Sequence, residues 1–523
     1  MEEDHLGKPL LQKKEYPNCP GCKCAYLQHP DAKLPFKEYL NLFCLVLASS
    51  IPISSLYPFL YFMVQDFHIA KSDEDIGYYA GAIGAAFMIG RAITAAHWGL
   101  IADVYGRKPV IFIGLISVIV FHTLFGLSTN FWMALSSRFF LGFFNGMLGP
   151  AKAYASELTN ARHQAHGMVV VSTSWGLGLI LGPAIGGYLS QPALKYPNLF
   201  GAGSLFEQFP YLLPSLCNTV FCIGLLFFVF QLPETLHIHD DIQDVKEEES
   251  ATEQPYGACA ESKGLISAVA VEQTDNHIVS LSQTEMDLKI SLPEDGLIED
   301  KHMKRSLFTR KAFIGVMIPY CLWALHDMAH TEVFSLWCIS PRSSGGLSFS
   351  TVDVGNVLSI SGFGMLVFQF IFFPLIANFF GPIMATRIAA VLSVPLVIAY
   401  PVIAKLDGWM LMVILNLASL VKNILSNVVY CAIFLLINNS VPQDQRGVAN
   451  GLSLCLNSIS KAMGPAGGGS LFALGQTRQD AYILPGNELV FTVLGFVAVL
   501  TAITTFEPVL PRSTDHPYSD DDK

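Results

Sequence analysis

The chain has 523 residues, of which 52% are hydrophobic and only 14% charged. A soluble domain carries about 25% charged residues, so a water-solvated globule is excluded and lipid is the expected solvent. The formal net charge of −11 argues against a nucleic-acid partner.

In chain order, the first feature is a polar N-terminal tail, residues 1–36, that lacks a basic-then-apolar leader. The first apolar run is expected to act as the insertion signal. The tail carries Cys19-Pro20-Gly21-Cys22, then Cys24 and His29. Pro-Gly makes a turn that brings Cys19 and Cys22 together. With Cys24 and His29 they suit a tetrahedral zinc site, and a reduced, metal-free tail is the equal alternative. Leu10-Leu11 after Glu2, Glu3 and Asp4 loosely resembles an acidic dileucine sorting signal, which leans toward the vacuolar membrane over the plasma membrane.

Apolar stretches of roughly 20 residues, enough to cross a ~30 Å hydrocarbon core, follow in two sets of six. The first set is Tyr39–Val64, Ile76–Trp98, Val110–Leu127, Phe131–Tyr154, Gly167–Leu189 and Phe209–Gln231. The second is Ala312–Trp337, Val352–Phe379, Met384–Ile403, Trp409–Ile437, Val448–Leu474 and Leu489–Phe506. Lipid cannot satisfy exposed backbone groups, so helices are expected. The runs are too long and too uniformly apolar for a β-barrel. The expected fold is an all-α integral membrane protein of twelve transmembrane helices, in halves spanning 37–231 and 312–507. Between them lies a polar, acidic central loop, 232–311, with disordered composition; an acidic tail, 508–523, closes the chain. Lys8, Lys13, Lys14, Lys23, Lys33, Arg107, Lys108, Arg162, Arg387 and Arg446 fall on one side of this topology. Lys71, Lys195, Arg342, Lys405 and Arg478 fall on the other. The side richer in Lys and Arg faces the cytoplasm, so both termini and the central loop are expected there.

The halves echo each other. Gly182-Pro183-Ala184-Ile185-Gly186-Gly187 in the fifth run recurs as Gly464-Pro465-Ala466-Gly467-Gly468-Gly469 in the eleventh. With Gly178, these small residues suit close helix packing. A duplicated six-helix unit is the expected signature of a secondary transporter.

Several residues carry chemistry. Gly99, Asp103, Gly106, Arg107 and Lys108 form a G-x-x-x-D-x-x-G-R-K turn between the second and third runs. Asp103 suits a helix N-terminus, and Arg107 and Lys108 can pair across an interface. Arg138 lies inside the fourth run. His326, Asp327, His330 and Glu332 lie in the seventh and Lys422 in the tenth. Such charges cost about 2.5–3.5 kcal/mol at a helix centre, so they are expected to face a cavity or each other. Both substrate or proton sites and mere interhelical pairs fit them. His237 and His239 follow the sixth run beside Asp240 and Asp241, and suit weak zinc binding or a solvated linker. No nucleotide-binding loop is present, so ATP is not the expected energy source, and no catalytic residues are assigned.

The Gly99–Lys108 turn resembles the signature loop of the major facilitator superfamily. That resemblance implies a conformational latch between the halves. Arg138 with Gly142 and Gly146 resembles the family's fourth-span motif, whose Arg is implicated in proton coupling. The Gly178 to Gly187 element resembles the fifth-span motif associated with antiporters. Together with Cys19-Pro20-Gly21-Cys22 and Pro233-Glu234-Thr235-Leu236-His237-Ile238-His239, the turn resembles the plant zinc-induced facilitator-like group. In the second half Gly381 and Arg387 remain, without the acidic latch residue. The resemblance implies a monomeric, proton-coupled antiporter, not an enzyme. Its cargo would be a small organic solute such as nicotianamine or a phytosiderophore, moved out of the cytosol in zinc and iron homeostasis. It needs no cofactor beyond a possible regulatory zinc, and its partners are the cargo, protons and the bilayer. An auxin-like organic anion or potassium is the alternative cargo, and a non-transporting metal sensor the alternative class.

Overall fold

The structure, a computed structural model, describes residues 19–23, 36–158, 164–201, 203–236, 310–371, 379–441 and 446–515. Among the described residues there are only helices, turns and loops, and the helices group into twelve spans. In the first half these are Phe36–Ser54 continued by Leu60–Asp66, Ile76–Tyr105, Arg107–Ser117 continued to Gly126, Phe131–Phe144 with Leu148–Glu157, Gln164–Leu189, and Leu212–Gln231. The second half repeats the order with Lys311–Ile339, Thr351–Ile371, Pro382–Ile398 with Tyr400–Ile403, Gly408–Asn439, Arg446–Gln476, and Asn487–Thr504.

Nine of these spans have the length and apolar composition to cross a bilayer. The fourth is split at Asn145-Gly146-Met147, and the eleventh is diluted with Gly, Ser and Asn. The first span breaks between Ser54 and Leu60, where Pro58 lacks an N–H and cannot continue the ladder. The third passes through a π-helical turn at Val118–His122.

The two small-residue stretches build the joints of the molecule. The first copy mates the fifth span with the first. Side chains at Gly178, Gly182 or Gly186 would collide with Ser50, Ser54 and Ser55. Its last residue, Gly187, abuts Thr351 and Gly355 of the eighth span. The second copy repeats the plan: Gly464 packs on Met328 and Ala329 of the seventh span, while Pro465 and Gly469 abut Gly81 and Gly77 of the second. Each stretch therefore binds a helix of its own half and a helix of the other.

These cross-half contacts gather at the face opposite the termini, called here the far end. Tyr188 donates to Asn356 Oδ1 at 2.7 Å, and Ser359 to the Ile180 carbonyl at 3.1 Å. Lys195 Nζ reaches across to Thr351 Oγ1 at 2.5 Å. Thr351 in turn donates to the Gly187 carbonyl at 3.1 Å. The far end is thus sealed by main-chain packing with hydrogen bonds.

Beyond the last span, Arg512–Asp515 forms a 3-10 turn with Thr514 buried. Residues 516–523 lie outside the described residues.

Candidate functional site

The turn between the second and third spans is organised by a residue that spacing alone did not single out. Gly106 has φ +104°, a left-handed conformation that glycine adopts at little cost. It exposes the first amides of the third span, whose unpaired N–H groups attract an anion. Asp103 was expected in that role, but Glu234 takes it. Its carboxylate accepts from Arg107 N at 3.0 Å and Lys108 N at 2.9 Å. It also accepts from Thr235 N at 3.0 Å and Leu236 N at 3.2 Å. Asp103, 68% exposed, pairs instead with Arg107 one turn on, at 3.1 Å. Arg107 also holds Glu157 at 2.8 Å and the Ala102 carbonyl at 2.8 Å. Lys108 Nζ donates to the Phe230 carbonyl at 2.8 Å. Among the described residues the side-chain partners of the turn lie in the first half or just beyond its sixth span. The cross-half pairing expected of Arg107 and Lys108 is not seen in this conformation, because Glu157 and Phe230 already occupy them.

The second half repeats the device with a different acid. Gly381 has φ +74°, and the next helix is capped by Asp515 Oδ1, which accepts from Ile383 N at 2.9 Å. The acid missing from the turn itself is supplied from beyond the twelfth span, as Glu234 is from beyond the sixth. Glu234→Ala should cost about 0.5–2 kcal/mol of local stability, the usual worth of a helix cap. Hydrogen exchange over Gly106–Pro109 measures this. Unchanged protection there would show that Glu234 only decorates the turn.

Within the membrane the expected charges fall into three separate settings. Asp327 and Lys422 meet at 2.6 Å. Ser426 also donates to Asp327 Oδ1 at 2.5 Å, and Tyr430 to Oδ2 at 3.3 Å. Lys422, Ser426 and Tyr430 follow one another at four-residue steps, so one face of the tenth span grips the carboxylate. Lys422 is 1% exposed, whereas Asp327 is 19% exposed.

His326 and His330 do not share that setting. His326 Nδ1 contacts the Leu494 carbonyl at 3.0 Å, and His330 stacks on Phe334 with its ring tilted against Tyr400. Their common face points into the second half, toward the ninth and twelfth spans, because aromatic packing claims it.

Arg138 is not in an open cavity either. It is 1% exposed, lies over the rings of Phe87 and Phe125, and donates to the Pro52 carbonyl at 2.8 Å. The break in the first span leaves that carbonyl without a helical partner, which explains the bond. Glu332 of the seventh span, 1% exposed, lies within electrostatic reach of Arg138, against the gap left by Gly84. Neither carboxyl oxygen has a hydrogen-bond partner among the described residues. An ionised, unpaired carboxylate there would cost several kcal/mol, so the site accommodates the neutral acid.

Three further cations lie within the spans and escaped the sequence reading: Arg91, Lys152 and Lys461. The signal was available, since each is a charge inside an apolar run. At the far end, Lys195 sits outside the spans, and burial lowers its pKa to about 8. It therefore remains an ammonium at neutral and acid pH, and its grip on Thr351 persists there.

Of the proposed zinc ligands, Cys19 is buried beside the short helix Pro20–Lys23, which holds Cys22. Cys24, His237 and His239 lie outside the described residues. Among the described residues no group of three or more His, Cys, Asp or Glu side chains is placed to share a metal.

Comparison with known proteins agrees with this architecture. The model of the Major Facilitator Superfamily matches residues 42–465. Protein zinc induced facilitator-like 1 of Arabidopsis thaliana is 45% identical over 98% of this chain and 100% of its own length. Protein zinc induced facilitator 1 of the same plant is 43% identical over 98% and 100%. Among solved structures, a D-xylose-proton symporter superposes with a TM-score of 0.64 at 12% identity, covering 92% of this chain and 99% of that one.

Proposed function

This chain belongs to the Major Facilitator Superfamily, as a multi-pass membrane transporter related to the zinc-induced facilitators, and from that premise we propose that it is a proton-coupled antiporter. Its cargo in this reading is a small organic metal chelator, such as nicotianamine or a phytosiderophore, moved out of the cytosol. The names of its plant relatives support a role in zinc homeostasis. The Lys and Arg bias supports both termini in the cytosol, and in this reading the sealed far end faces the vacuolar lumen or the cell exterior.

One observation carries the proton coupling: the buried carboxyl of Glu332 at the joint between the halves, which has no hydrogen-bond partner among the described residues. With the far end sealed, this carboxyl is dry and neutral. Opening that end hydrates it beside Arg138 and lets it ionise. Closure after cargo release then requires a proton from the far side. Asp327, on the other hand, is gripped by Lys422, Ser426 and Tyr430, and its partial exposure lets it exchange protons when that grip loosens. Two titratable groups on the seventh span, Glu332 facing the first half and Asp327 facing the tenth span, suit alternating access.

The test is uptake of nicotianamine into proteoliposomes with and without a pH gradient. An antiporter accumulates cargo only against an outward flow of protons. An auxin-like anion is the second reading, favoured by the extra intramembrane cations, which also weigh against potassium. Regulatory zinc on Cys19, Cys22 and Cys24 completes the proposal. Zinc titrated into the full chain should bind more tightly than to its triple Cys→Ser variant; equal binding would remove this element.

A further inference from the structure

We propose that Arg91, Lys152 and Lys461 form the cargo site, and that it takes a ligand bearing at least two carboxylates. The inference rests on the transporter reading above and deepens it by naming the site and the chemistry it selects.

The three residues come from the second, fourth and eleventh spans, so they are far apart in sequence and meet only through the fold. Lys152 lies within electrostatic reach of both Arg91 and Lys461, and Lys461 within reach of Arg91. Each is intermediate in exposure, neither sealed in packing nor free in solution. Among the described residues none makes an ion pair or a side-chain hydrogen bond. The contrast with the other intramembrane cations is informative. Arg138 has a carbonyl and Lys422 a carboxylate, both at hydrogen-bond distance.

Three like charges held together without a counter-ion repel one another. A fold accepts that repulsion where an anion relieves it during the working cycle. Asp327 is the carboxylate within reach of Lys461, but Lys422 already holds it at 2.6 Å. The local balance of Arg91, Lys152, Lys461 and Lys422 against Asp327 is therefore four positive charges to one negative, which leaves room for several anionic groups.

Two aromatic rings complete the setting. Arg91 Cζ lies 5.6 Å from the Trp175 ring centre, and Lys461 Nζ 4.9 Å from that of Tyr430. Cation–π contact is a weak substitute for an anion, suited to parking a cation that a ligand later takes. The arrangement also spans the joint: Arg91 and Lys152 belong to the first half, Lys461 to the second. A ligand with two or more carboxylates ties the halves together, whereas a single carboxylate engages one side. Tyr430 carries the effect onward, since it touches Lys461 and donates to Asp327 at 3.3 Å. Cargo that draws Lys461 off Tyr430 disturbs the grip on the titratable carboxylate, which links loading to proton release.

The experiment uses the purified full chain, with nicotianamine, citrate and indole-3-acetate as probes. Binding is read by radioligand retention, and stability by the thermal midpoint with and without probe. Lys152→Gln and Lys461→Gln should each weaken nicotianamine binding by about ten- to hundredfold, the worth of one charge-assisted hydrogen bond. Lys461→Arg should stay within a few-fold of the wild type. Because each Gln variant removes a repelling charge, its ligand-free midpoint should equal or exceed the wild type while the probe-induced shift shrinks. A packing role predicts the reverse: a lower ligand-free midpoint with the probe-induced shift kept, and that result would overturn the assignment. So would nicotianamine binding that is unchanged in all the variants. If the wild type ignores nicotianamine but binds citrate or indole-3-acetate in a Lys461-dependent way, the chelator reading falls and the site stands. If it binds none of the three anions, the site falls too.

Discussion

Asp327→Asn should be the most damaging single change inside the membrane. It strands the Lys422 ammonium, 1% exposed, without its counter-charge, and it halves the acceptor capacity available to Ser426 and Tyr430. Removing one partner of a buried ion pair costs about 3–5 kcal/mol, so the thermal midpoint of the purified protein should fall markedly. The double variant Asp327→Asn/Lys422→Met should recover most of that loss, because no lone charge remains. It should not recover the share of the pH dependence of transport that Asp327 supplies, because the titratable carboxyl at that position is gone. Counterflow, which needs no gradient, separates the two effects. A single Asp327→Asn variant as stable as the wild type, with unchanged pH dependence, would place the coupling elsewhere.

Glu332→Gln should behave in the opposite way. The amide mimics the neutral acid in shape and charge, so the sealed far end loses nothing and folding is kept. The variant should instead lose at least about tenfold in gradient-driven transport, in the range contributed by a positioned proton-transfer group, while counterflow persists. A fall in both rates together would make Glu332 a packing residue. Glu332 and Asp327 thus separate cleanly, one change costing coupling alone and the other costing stability as well.

The fold was legible because lipid imposes a strict rule: long apolar runs must be helices, and twelve of them in two sets leave little freedom. The repeated Gly-Pro-Ala stretches were legible as packing elements for the same reason. What they pack against was not, since Gly187 against Gly355 and Pro465 against Gly81 are long-range pairings. The site was legible in parts. A charge in an apolar run is visible in one dimension, and Asp327 and Lys422 were both marked that way. Whether two such charges meet depends on helix rotation. His326 and His330 share a face at four-residue spacing, yet that face turns toward Leu494 and Tyr400 and away from the carboxylate. The latch turn shows the same limit. The need for an anion at the start of the third span follows from helix physics, but the choice of Glu234 over Asp103 depends on where the chain passes after the sixth span. Arg91, Lys152 and Lys461 were overlooked because single charges in long runs read as isolated costs, and their convergence exists only in three dimensions.

The central claim is that cargo leaves the cytosol in exchange for protons, and proton movement tests it most directly. Vesicles holding the purified protein and a trapped pH-sensitive dye are given nicotianamine on the outside, with no pH gradient and the membrane potential clamped. Wild-type protein should alkalinise the lumen as cargo enters, and Glu332→Gln should leave the lumen pH unchanged while cargo still exchanges in counterflow. Cargo entry by the wild type with no change in lumen pH, or with acidification, would contradict the account.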